Sequence, residues 1–244
     1  MPAPRFTSAF RVCAGAIFLL CASPLAARAD SFAFMTAGND DFGVLDLTSG
    51  SFTLCGNSGV LLAGLGLAPH GVIYAAGWGT STIYTVNRTN GALTTVGTTS
   101  LTVDDFGSTK KVLYALDFNG NLFSINPNTA AAKLVGPIGV PLAGTIGMST
   151  GSSKLYLQNG TELYALDTKT GKAKPIGPGS TSLGALATIG GVLYGGSNVS
   201  PYSVQTVNAT TGADTEGATL TGETASFWGL TATPKSETGA CPTK

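Results

Sequence analysis

One apolar segment recurs five times along this chain at a nearly constant spacing, and few folds accommodate that. It reads Phe32-Ala33-Phe34, Val72-Ile73-Tyr74-Ala75, Val112-Leu113-Tyr114-Ala115, Leu155-Tyr156-Leu157 and Val192-Leu193-Tyr194. Its aromatic stands at Phe34, Tyr74, Tyr114, Tyr156 and Tyr194, giving intervals of 40, 40, 42 and 38 residues. A second landmark follows each copy: an Asp or Asn at Asp46, Asn87, Asn126, Asp167 and Asn208, with intervals of 41, 39, 41 and 41. Two landmarks that keep one period identify a true internal repeat.

The second landmark has the chemistry of a hairpin turn. Its Asp or Asn side chain can accept a hydrogen bond from the backbone two residues on, and the Gly that usually closes it tolerates the left-handed conformation. Ala130 takes the place of that Gly in the third repeat, so a different turn is expected there. A further strand follows the turn, as in ALTTVG from Ala92, and another precedes the aromatic segment, as in Leu62 to Ala68. Four strands in about 40 residues is the size of one β-propeller blade. The expected fold is therefore all-β: a five-bladed β-propeller with four strands per blade.

The ends of the chain refine this expectation. The first aromatic segment has no strand before it, and a strand of the missing type appears at the other end as Phe227-Trp228-Gly229-Leu230-Thr231-Ala232. Its Gly229 to Pro234 run parallels Gly64 to Pro69. The C-terminal strand is thus expected to complete the first blade and close the ring, which removes exposed strand edges. Cys55 and Cys241 flank that seam and are expected to form a disulfide.

The first 29 residues read as a secretory signal, with Arg5 and Arg11, an apolar core from Ala14 to Leu20, and an Ala27-Arg28-Ala29 cleavage site. That core is too short for a membrane span, which takes about 20 apolar residues. The expected organisation is signal 1–29, propeller 30–234 and a polar tail 235–244, in a secreted or periplasmic protein that acts as a monomer. Removing the signal leaves 13 acidic residues against 13 − 3 = 10 basic ones, a net charge of −3. Nucleic acid is not an expected partner, because no Lys/Arg cluster stands out in the sequence to displace counterions.

The repeat wording, "LY-x-[VLI]-[DN]-x-x-[TN]-G", resembles that of exported bacterial propellers with NHL-like or quinoprotein-like repeats. The resemblance implies the blade and no particular activity. The quinoprotein enzymes usually carry a blade-docking Trp after the turn; here those positions hold residues such as Thr94, Leu134 and Ile176. That departure argues against a quinone, and no cofactor is expected beyond a calcium ion.

Propellers bind ligands on the face formed by the second-to-third-strand loops and the loops entering each inner strand. The candidate ligand-binding residues there are Asp40, Trp78, Asp104, Asp105, Asn119, Tyr202 and Trp228. Aromatic faces beside amides and carboxylates suit a glycan, a small polar ligand or a protein partner. Asp104-Asp105 stands out because the matching strands elsewhere are apolar or hydroxylated. The pair reads as solvated carboxylates at the channel mouth, as ligands of a calcium ion, or as the acid of a hydrolase or lyase. Catalysis has thin support: no Glu lies on another inner strand to serve as the second carboxylate of a glycosidase, and the lone His70 sits in a Pro-His-Gly turn.

Overall fold

The computed structural model describes residue 1, residues 32–233 and residues 241–242. The segment expected to be a signal, beyond Met1, and most of the 235–244 tail lie outside the described residues. The chain forms five four-stranded antiparallel sheets in a ring. The first blade contains β1 (Phe32–Ala37), β2 (Asp41–Asp46) and β3 (Phe52–Asn57). The second contains β4 (Leu62–Leu67), β5 (Ile73–Gly77), β6 (Thr82–Val86) and β7 (Leu93–Thr98), and the third β8 (Val103–Ser108), β9 (Leu113–Asp117), β10 (Asn121–Ile125) and β11 (Ala132–Pro137). The fourth has β12 (Ile146–Met148), β13 (Leu155–Asn159), β14 (Glu162–Leu166) and β15 (Ala173–Pro178), and the fifth β16 (Leu183–Ile189), β17 (Val192–Ser197), β18 (Ser203–Val207) and β19 (Asp214–Thr219).

The last strand, β20 (Phe227–Ala232), is the inner strand of the first blade. It pairs antiparallel with β1, from Ala33↔Ala232 to Ala37↔Phe227. The inner strands pack side by side around the axis in the order β20, β4, β8, β12, β16 and back to β20. The circle is closed by hydrogen bonds between the two ends of the chain.

The pattern of apolar residues follows from this geometry. The second strands β5, β9 and β13 are buried at every position, because sheets cover both of their faces. The outer strands β7 and β15 alternate between part-buried and exposed residues. The buried apolar residues form five clusters, one in each seam between neighbouring blades. Seams are thus where burial stabilises the molecule, and the sparse charge of the sequence reflects sheets that cover one another.

The hairpin turns behave as the repeat implies. In all five, the Asp or Asn side chain accepts from the backbone two residues on: Asp46 from Thr48, Asn87 from Thr89, Asn126 from Asn128, Asp167 from Lys169 and Asn208 from Thr210, at 2.8 to 2.9 Å. The expected difference at Ala130 does not occur. Ala130 adopts the left-handed conformation itself, with φ of 59°, and closes the turn with the same bond to the Asn126 carbonyl as Gly91 makes to that of Asn87. Its methyl group is fully buried in the seam between the second and third blades. That burial offsets a conformational cost of about 1–2 kcal/mol.

The same turns dock the blades together at the periphery. Four of the turns, those of the second to fifth blades, abut the outer strand of the preceding blade at a Gly: Gly56, Gly97, Gly136 and Gly177. At Gly136 a Cβ would collide with the Thr170 carbonyl of the fourth blade's turn. The disulfide forms as the sequence suggests: Cys55 on β3 is bonded to Cys241, 186 residues away.

Candidate functional site: the mouth cavity

Two positions of the repeat build the site. The first is the second residue of each inner strand. In four blades the inner strand carries a β-bulge there, and the extra residue is Ala63, Asp104, Gly184 or Trp228. A bulge re-aims its side chain away from the sheet, and all four residues line a 320 Å³ cavity at the mouth of the ring. The short β12 lacks the bulge. The other position is the first residue after each second strand: Gly38, Trp78, Phe118, Gly160 and Asn198.

Large and small residues alternate between these positions. Trp228 pairs with Gly38, Trp78 with Ala63, and Asn198 with Gly184. At Gly38 a Cβ would approach Trp228 Nε1 to 2.8 Å, so only a glycine leaves room for the ring. Trp78 meets Trp228 edge-on at 5.5 Å and Phe118 at 5.9 Å. Trp228 donates its indole N–H to Ser226 Oγ at 3.1 Å. Three blades therefore contribute an arc of aromatic rings, with Trp78 43% and Phe118 47% exposed.

The other side of the cavity is polar and small. The linker into β12, residues 138–145, is longer than the four-residue linkers 58–61, 99–102 and 179–182, and its end forms part of the wall. Asn159 holds it: its Oδ1 accepts from the Ala143 N–H at 2.6 Å and its Nδ2 donates to the Pro141 carbonyl at 2.8 Å. Asn198 Oδ1 is buried and has no hydrogen-bond partner. Asp104 supplies the carboxylate. Burial, assisted by the nearby charge of Asp117 and only partly offset by the neighbouring Trp78 indole, holds it above the usual carboxylate range.

Asp105 is placed differently from its neighbour. It is 3% exposed and lies beneath the cavity, between the inner strands. Its Oδ1 accepts from the Phe106 N–H at 2.7 Å and its Oδ2 from the Met148 N–H of β12 at 2.6 Å. Inner strands have no further strand to pair with at the axis, and Asp105 occupies two of those spare donors. An ion shared by Asp104 and Asp105 would have to compete with these N–H groups, and no cluster of three or more metal-ligating side chains occurs among the described residues. Deeper still, Thr150 Oγ1 donates to the Leu230 carbonyl at 3.0 Å, joining the fourth blade to the first across the axis.

Replacing Asp105 with Ala leaves two buried N–H groups unpaired, at a cost of about 1–3 kcal/mol each. Part of that cost is offset because a desolvated carboxyl is removed. The expected loss is about 2–4 kcal/mol, read by urea denaturation. Burial pushes the Asp105 carboxyl well above its ordinary range, so the folded state binds a proton more readily than the unfolded chain. Stability is then highest below the ordinary carboxylate range and falls as pH rises through Asp105's own titration. Asp105→Ala should flatten that slope, leaving Asp104's share.

Of the other sequence candidates, Trp78, Asp104 and Trp228 meet in the cavity, whereas Asp40, Asn119 and Tyr202 stand apart from it. Asp40 is a turn residue with φ of 68°. The backbone N–H of Asn119 is held by the Asp117 carboxylate at 3.0 Å. Tyr202 packs on the seam between the fifth and first blades.

The architecture is shared with solved propellers. A chain of the "Crystal structure of Nidogen/Laminin Complex" superposes with a TM-score of 0.56 over 82% of this chain and 97% of its own, at 12% identity. That likeness shows the fold. Since 640 chains of solved structures match, it selects no ligand. No protein-family model and no curated protein matches the sequence. The resemblance to NHL-like and quinoprotein-like propellers therefore stays at the level of the blade.

Proposed function

We propose that this chain is an exported binding module whose mouth cavity takes a small polar ligand, either free or displayed as one residue of a glycan or protein. The observation that carries this reading is a cavity that Trp78, Phe118 and Trp228 line together with Asp104 and Asn198. Aromatic walls contact a ligand's apolar part, while the carboxylate and amide fix its orientation. The disulfide fits an oxidising compartment, and among the described residues no helix is long and apolar enough to cross a membrane. The nidogen/laminin structure is that of a protein complex, which keeps a ligand-bearing protein among the candidate partners.

A hydrolase or lyase is the less supported reading. Acid–base chemistry on a glycoside uses two carboxyl groups flanking the bond. Among the residues lining the cavity Asp104 is the single acid, and Asp105 has both oxygens engaged beneath it.

Trp78→Ala removes an exposed ring without opening the core. It should weaken ligand binding by about 2 kcal/mol, roughly 30-fold, and leave the unfolding midpoint nearly unchanged. A glycan and metabolite array followed by calorimetry on the hits measures both. An array with no hits, or hits that bind Trp78→Ala as tightly as the parent, would refute the reading.

A further inference from the structure

The mouth cavity is lined by groups of one electrostatic character. Trp78, Phe118 and Trp228 line it, and the face of an aromatic ring carries a quadrupole that is negative at the centre. Asp104 adds a half-buried carboxylate beside the neutral indole of Trp78. Asn198 adds a buried carbonyl oxygen with no donor. No Lys, Arg or His lines the cavity. A neutral sugar would fill the shape but would leave the Asp104 charge desolvated without a counter-charge, which is costly.

The rings are also set as walls rather than as a stacking platform. Trp78 stands at 86° to Trp228 and at 68° to Phe118, with centroids 5.5 and 5.9 Å apart. Rings nearly perpendicular to one another cannot all stack on one flat ligand. They can surround a compact head group, and aromatic walls that enclose an ammonium attract it through their quadrupoles.

Resting on the reading of this cavity as a ligand site, we infer that its ligand is an organic cation, an alkylammonium head held between Trp78, Phe118 and Trp228 with Asp104 as its counter-ion.

The test compares choline with its neutral carbon isostere, 3,3-dimethylbutan-1-ol, and with N-acetylglucosamine, by titrating the fluorescence of the full chain. Trp78 and Trp228 are its only tryptophans, so the signal reports the site directly. Choline should bind at least 10-fold more tightly than the isostere, and Asp104→Asn should lose most of that preference while keeping the near-ultraviolet circular dichroism of the parent. Equal binding of choline and the isostere would overturn the cation assignment and leave the ligand site standing. Binding of N-acetylglucosamine with none of choline would do the same. Failure of all three probes, together with an array that has no hits, would remove both.

Discussion

The double variant Cys55→Ser/Cys241→Ser should melt about 10–20 °C below the parent. The bond joins residues 186 positions apart, so it encloses nearly the whole ring. On the loop-entropy account a cross-link of that span restricts the unfolded chain by about 5 kcal/mol. For a domain of this size each kcal/mol moves the midpoint by roughly 2–4 °C. Differential scanning calorimetry of the variant and of the reduced parent should agree. A midpoint within 3 °C of the oxidised parent would mean that the bond does not constrain the unfolded chain.

The second large effect is expected at Phe227, the first residue of the closing strand. Its side chain is 1% exposed and lies over Gly196 of β17, where the glycine leaves room for the ring. It therefore belongs to the seam that joins the last blade to the first. Truncation to Ala should cost about 3–5 kcal/mol, because the cavity left in a packed seam can collapse only in part. Phe227 also lines the mouth cavity and precedes Trp228, so on the proposed function binding should weaken with stability. Val199→Ala on the same face is the control: Val199 is 56% exposed, and its loss should cost under about 0.5 kcal/mol. Denaturant unfolding of the two variants checks both figures, and equal costs would contradict the placement of Phe227.

The architecture was legible because it is encoded by period. The aromatic second strands, the Asp/Asn turns and the strand displaced to the C-terminus each repeat or complete a pattern, and all fell where the repeat puts them. The site was legible in part. Trp78, Asp104 and Trp228 stood out as aromatic or charged residues on the expected face. Ala63 and Gly184 did not, because small residues carry no chemical signal. Their role comes from bulges that a period of two hides. Aligning the copies by the second residue of the inner strand and the first residue of the following loop would have brought them together.

Asp105 shows why adjacent identical residues cannot be assigned one role. The bulge at Asp104 sends consecutive side chains to different places, one to the mouth and one to the axis between strands. Two residues that the sequence presents as a pair are one residue of the mouth cavity and one structural carboxylate. Ala130 teaches a related lesson. A turn that prefers Gly can hold Ala when its methyl group is buried in a neighbouring seam, and only the packing reveals that.

Everything at the mouth depends on the C-terminal strand lying beside β1, since that pairing carries Trp228 to Trp78. Native-state hydrogen exchange resolved by residue tests it most directly. The account predicts that hydrogen-bonded amides of β1 and β20 exchange through the same global opening as those of β8 and β9, with equal protection and equal dependence on denaturant. Exchange of β20 as a frayed end, with β1 unprotected along its exposed edge while the other four blades stay closed, would contradict it.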